Sequence, residues 1–151
     1  EDFQQHVSDV DASVKAAEQR IVQITSELST QKVIQKHCDS YRLCRKVIED
    51  CKSAKNLKAY RTKHQAEYQL HDSLKKELQD LGITKIPSSN KIQKRIEHLE
   101  SEQAATVREK QELQKKQKTL DIIQQNFTVL LNAPHISNND INRTVAPPLQ
   151  H

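Results

Sequence analysis

The sequence predicts an all-α fold: an elongated helical hairpin or open three-helix bundle with coiled-coil character and a disordered C-terminal tail. Residues 1–81 and 88–133 contain neither glycine nor proline, so the helix-breaking residues are missing from almost the whole chain. Phe3, Val7, Val10, Val14, Ala17, Ile21, Ile24 and Leu28 step by alternating four and three, the spacing of a coiled-coil seam. Gly82, the one glycine, sits in Leu81-Gly82-Ile83-Thr84-Lys85-Ile86-Pro87-Ser88, where chain-turning residues converge. Composition agrees with a thin, extended fold. Of 151 residues 34% are hydrophobic and 29% charged, with two Phe and no Trp or Met, enough for narrow seams but not for a thick core.

Residues 1–132 read as one helical domain that begins with a long helix over 1–53. Its seam loses phase after Leu28, where Gln31 and Gln35 would follow. Apolar positions resume at Ile34, Cys38, Tyr41, Cys44, Ile48 and Cys51, as in a continuing helix whose buried face has rotated. Ser53 to Asn56 marks a weak break, because Ser and Asn compete for backbone hydrogen bonds. A second helix over 56–81 places Leu57, Tyr60, His64, Tyr68, His71, Leu74, Leu78 and Leu81 on one broad face. Gly82 then supplies the left-handed residue past the helix end, and residues 82–88 form a corner. Pro87 blocks upstream propagation of the next helix, and Ser88 or Ser89 caps it. That last helix spans 89–132, with Ile92, Ile96, Leu99, Leu113, Leu120, Ile123, Phe127 and Leu130 facing inward. Gln103, Thr106 and Lys110 fall at its central seam positions, so this stretch is expected to pack poorly and lie more exposed. Pro134, Asn138, Asn139, Pro147 and Pro148 predict a disordered tail over 133–151.

The net charge of +4 conceals an asymmetry. Residues 1–31 carry two basic and six acidic side chains, a net of −4. Residues 32–63 carry ten basic side chains (Lys32, Lys36, Arg42, Arg45, Lys46, Lys52, Lys55, Lys58, Arg61 and Lys63) against Asp39, Glu49 and Asp50, a net of +7. Two roles fit this block: a phosphate-contacting surface that releases counterions on binding nucleic acid, or a solvated face complementing the acidic first segment. Only Tyr41 and Tyr60 interleave with these cations, so phosphate contact with little sequence preference is expected rather than base stacking.

Other chemistry is thinly represented. Cys38, Cys44 and Cys51 fall in one helix; the last two are roughly 10 Å apart along its axis, too far for a disulfide. His64 and His71 are seven apart, whereas a zinc pair on one helix wants about four. Packed side chains are therefore expected, with no metal and no cofactor. A metal-responsive sensor built on the cysteines and nearby histidines is the minor alternative. No glycine-rich phosphate loop or nucleophile elbow is present, and the expectation is a non-enzymatic segment. The longest apolar run is Val129-Leu130-Leu131, so no transmembrane stretch is expected and a cytoplasmic location is read. Glu1-Asp2, with no initiator Met, reads as the start of a fragment of a longer protein.

Several short motifs occur in a telling order. Lys36-His37 and Tyr41 are followed by Tyr60-Arg61 and His64, then Leu70-His71 with Lys75-Lys76. Leu81-Gly82, Lys85-Ile86-Pro87-Ser88, Glu109-Lys110, Asn126 and Leu130-Leu131-Asn132 complete the series. This order resembles the helical region C-terminal to the nuclease domain in relaxases, the mobilisation nucleases of conjugative and mobilisable plasmids and integrative elements. The resemblance covers about two-thirds of the chain, and its distinctive part is the corner. The chain departs from the family in lacking a glycine-containing turn and an extra aromatic before His64. The family's tyrosine nucleophile and histidine triad match no position here, so no catalytic role carries over to Tyr41, Tyr60, Tyr68 or any histidine. The resemblance implies an accessory region of a DNA-processing protein that holds DNA or recruits transfer-machinery proteins. On that reading Lys75 and Lys76 join the basic block as phosphate contacts. The rival expectation is a structural coiled-coil module whose residues 3–28 mediate homodimerisation or partner docking.

Overall fold

The computed structural model describes residues 2–132; the tail expected at 133–151 lies outside the described residues. Four α-helices and no strand occur among the described residues: α1 Asp2–Asp50, α2 Leu57–Lys63, α3 Gln65–Asp80 and α4 Ser89–Asn132, with a 3-10 turn Cys51–Ser53 after α1. The fold is all-α. At 1.5 Å per residue the 49 residues of α1 span about 73 Å. α4 runs antiparallel along its first part, and α2 and α3 fold back along its second.

The first seam pairs within the chain. Val10, Val14, Ala17, Ile24 and Leu28 of α1 are buried, as are Ile92, Ile96, Leu99, Thr106 and Leu120 of α4. The expectation of a poorly packed middle in α4 is corrected here. Thr106 is 3% exposed and donates its hydroxyl to the Glu102 carbonyl at 2.8 Å. Gln103 donates to the Thr25 hydroxyl at 2.9 Å, Lys110 lies 3.6 Å from the Glu18 carboxylate, and Gln117 donates to Asp11 at 2.8 Å. These rungs recur every seven residues on both helices, so every second layer of the α4 seam is polar and answered across the interface. Arg20–Glu102 and Arg95–Glu27 line the other flank with their signs exchanged, which favours the antiparallel order.

After Leu28 the next buried positions are Ile34 and Cys38, a rotation that lets α1 meet α3 and the corner as well as α4. Ile24, Leu28, Ile34, Cys38, Leu78, Ile92, Ile96 and Leu99 form one core cluster, with Tyr41, Ile83 and Ile86 packed against it. The corner holds the bundle's third member in place. Gly82 has φ 82°, its N–H donates to the Gln79 carbonyl, and the Ile83 N–H donates to the Leu78 carbonyl. That pair of bonds is a Schellman ending, completed by Ile83 packing toward the cluster that contains Leu78. Ser88 rather than Ser89 caps α4, its hydroxyl accepting from the Lys91 N–H at 3.2 Å.

The expected single helix over 56–81 is divided. Asn56 caps α2 through the Ala59 N–H, and the chain bends at His64 (φ −108°, ψ 25°) before α3. Glu67, three residues on, turns its carboxylate toward its own backbone N–H and the His64 ring at 3.4 Å. It thereby stabilises a fresh helix start. Both groups favour the charged carboxylate, and the Glu67 acid group is held below its ordinary range, by the backbone hydrogen bond first and by His64 second. Leu57 and Leu81, expected on the buried face, are exposed, the first at the start of α2 and the second just past the end of α3. Ile123, Phe127 and Leu130, expected to face inward, are exposed; no described residue of α1 stands level with Phe127 or Leu130.

Candidate nucleic-acid interface

The twelve basic residues singled out in the sequence divide by what their side chains already hold. Arg42 is half-buried and committed. Its guanidinium donates to the Pro87 carbonyl, to the Ser89 hydroxyl at 2.8 Å and to Asp39 at 3.2 Å, tying α1 to the corner and to the start of α4. It is a structural clamp rather than an open cation. Lys32 reaches Glu100 across to α4 at 3.7 Å, Arg45 pairs with Glu49 at 3.1 Å, and Arg61 lies over the Tyr68 ring at 5.5 Å. Lys36, Lys46, Lys52, Lys55, Lys58, Lys63, Lys75 and Lys76 are exposed and make no ion pair among the described residues.

Chain order gathers five of these lysines at one end of the molecule. Lys46 stands in the last two turns of α1, Lys52 in the 3-10 turn, Lys55 in the three-residue link, and Lys58 and Lys63 on α2. The other three lie further along, with Lys75 and Lys76 on α3 and Lys36 on the stretch of α1 that α3 accompanies, as the His37–Glu77 pair at 3.1 Å marks. A basic groove of about 520 Å³ was not anticipated. It runs between α1, the corner and α4, floored by Ile34, Ile83 and Ile92 and edged by Lys91, Lys94 and His98. Lys91 and Lys94 escaped attention because charge summed over the whole last helix is near balance. The signal was local: both lie within six residues of the Ser88 cap.

The aromatic and thiol groups here are occupied by packing. The Tyr60 hydroxyl donates to the Val47 carbonyl at 2.8 Å, joining α2 to α1, and its ring lies 4.3 Å from that of His64. Burial pushes the Tyr60 phenol above its ordinary range. Tyr68 is also raised, first by its hydrogen bond to Cys51 and then by burial. Tyr41 stacks on His71 with centroids 4.7 Å apart. Cys38, Cys44 and Cys51 are buried free thiols, and burial raises Cys38 and Cys44 above the ordinary thiol range. Among the described residues no three histidine, cysteine or acidic side chains converge as a metal site would require, and no helix is long and apolar enough to cross a membrane.

Neither a family model, nor a curated protein, nor a solved structure matches this chain.

Proposed function

We propose that this chain is a non-catalytic helical scaffold that holds DNA by its phosphates, through the end formed by the close of α1, the 3-10 turn and α2. The observation that carries the reading is that five exposed lysines without an ion pair among the described residues gather at one end of the molecule. Along the α1–α4 hairpin Arg20, Arg95, Lys110 and Lys32 each meet a carboxylate on the facing helix. Lys46, Lys52, Lys55, Lys58 and Lys63, by contrast, meet none among the described residues. A surface that keeps its cations unpaired can exchange small counterions for backbone phosphates.

The rings nearby favour phosphate contact over base reading. Tyr60 is tied to the Val47 carbonyl and Tyr68 lies beneath Arg61, so neither is a bare stacking platform. Low sequence preference follows. The corner's resemblance to relaxase helical regions supports DNA as the polyanion. It also supports a cytoplasmic setting within a mobilisation protein that has transfer-machinery partners. Homodimerisation through residues 3–28 is the weaker reading, because α4 covers that seam and would have to peel away.

DNA affinity of the full chain measured across stepped salt concentrations tests the proposal. Binding that weakens linearly on logarithmic axes, to a similar degree for unrelated sequences, is expected. No binding at low salt, or binding indifferent to salt, contradicts it.

A further inference from the structure

In the groove between α1, the corner and α4 the pairing of charges across the hairpin stops short. On that flank Arg20 meets Glu102 at 3.3 Å and Glu27 meets Arg95, and in both pairs the two residue numbers total 122. One turn further along α1, and one turn back along α4, the same register sets Gln31 level with Lys91. Both residues line the groove, and Gln31 is neutral. The ladder of ion pairs therefore reaches Lys91 with no carboxylate to answer it. Lys94, the next cation along this side of α4, is also exposed and holds no ion pair among the described residues. His98 faces Glu102 of its own helix at 3.9 Å, a carboxylate already shared with Arg20. No acidic side chain is among the described residues that line the groove. Its floor has a different character. Ile34 and Ile92 are 5% and 3% exposed and belong to the core, whereas Ile83 and Pro87 of the corner are half-buried and leave aliphatic surface open.

We propose that an acidic segment of another protein docks in this groove, with one aliphatic or aromatic side chain on Ile83 and Pro87 and carboxylates on Lys91 and Lys94. Each feature of the groove narrows the occupant. The missing rung opposite Lys91 calls for an anion, and complementary charge of this kind selects partners. Lys91 to His98 spans about 10 Å along α4, so the anionic groups are several and spaced, unlike the single head group of a fatty acid. Gln31 is half-buried on the α1 wall, and its amide both donates and accepts, as a peptide backbone does. A DNA backbone would bring phosphates onto the aliphatic floor, stripping water from charge without replacing it. A second copy of this chain fits less well, since Asp11, Glu18 and Glu27 of its acidic opening are already held by α4. The volume of about 520 Å³ lies within the range of ligand clefts, enough to seat an anchoring side chain and its neighbours. The contact uses none of the five lysines at the basic end, so it stands apart from the DNA proposal.

Fluorescence anisotropy of a labelled peptide mixed with the full chain tests this, the peptide being two glutamates, a leucine and two more glutamates between blocked ends. Saturable binding is expected, weakened about tenfold or more by Lys91→Glu with Lys94→Glu, where attraction becomes repulsion. Gln31→Glu should weaken it as well, because it supplies the missing carboxylate from within the chain. Serine in place of the peptide's leucine should cost about tenfold, the share of the apolar anchor. Lys116→Glu with Lys118→Glu makes the same change of charge elsewhere on α4 and should leave affinity within about twofold. All four lysines are exposed and hold no ion pair among the described residues, so both variants should keep the helix content of the parent. No saturable binding of the peptide by the full chain overturns the proposal. Equal weakening by the two double variants, or indifference to the leucine, overturns it as well. So does displacement of the peptide by duplex DNA or by sodium laurate, which would make a phosphate backbone or a single-headed amphiphile the occupant.

Discussion

Gly82 stands at φ +82°, and a Cβ added there would meet nothing within 4 Å. Its requirement is therefore one of backbone conformation alone. Gly82→Ala should cost about 1–2 kcal/mol of unfolding free energy in urea melts, with Gly82→Asn costing less because asparagine tolerates the left-handed region. Arg42 makes a different kind of contribution. Loss of its bonds to Pro87, Ser89 and Asp39 in Arg42→Ala should cost about 1.5–3 kcal/mol, and Arg42→Lys should recover only part, because an ammonium cannot reproduce the guanidinium fork. The glycine was legible in the sequence, since a lone Gly after a periodic helix has few other uses. Arg42 was not: as one of ten cations in a basic block it looked like its neighbours, and only the folded corner separates it from them. Protonation adds a third prediction. The Cys38 and Cys44 thiols are raised by burial, so the stability they contribute is full below the ordinary thiol range and is lost as pH climbs through their raised values. The Glu67 carboxyl is lowered, so its contribution is present above the ordinary carboxylate range and is lost as pH falls through the depressed value. Urea midpoints against pH should show both limbs, the alkaline one flattened in Cys38→Ala and the acid one in Glu67→Gln.

The α1–α4 hairpin owes its uniqueness to residues that look like flaws in a seam. Gln103, Lys110 and Gln117 interrupt the apolar layers of α4, yet each meets Thr25, Glu18 or Asp11 one position beyond a buried residue of α1. Half-buried polar rungs of this kind contribute less stability than leucine and more specificity of register. Replacing Gln103, Lys110 and Gln117 together by leucine should raise the melting temperature and broaden the distribution of oligomers seen on sedimentation. A triple variant that melts lower while keeping the wild-type oligomeric state would contradict this role for the rungs. The heptad of α1 was legible because its apolar positions are spelled out. The rungs were not, because a polar residue at a seam position cannot be told from a poorly packed one until its partner across the interface is known. The break at His64 was hidden for a related reason: Glu67 acts on its own backbone and on His64, a local choice that helical periodicity does not record.

Over the whole molecule the charges follow the architecture. The acidic opening of α1 faces a helix whose Lys110 and Arg95 pair with Glu18 and Glu27 and whose Gln117 donates to Asp11. The net +7 of residues 32–63 is answered less, and its unpaired lysines concentrate where α1 ends and α2 begins. The sequence located that block but could not sort it, since pairing across helices depends on a register that composition does not reveal. The most direct test of the account compares DNA affinity against salt for the full chain and for a variant with Lys52, Lys55, Lys58 and Lys63 all changed to Gln. None of the four holds an ion pair among the described residues, so the fold should persist, as circular dichroism would register. The account predicts a shallower salt dependence on duplex DNA, the slope falling by roughly 0.9 for each lysine that had met a phosphate. An unchanged slope and affinity in the four-lysine variant would contradict it.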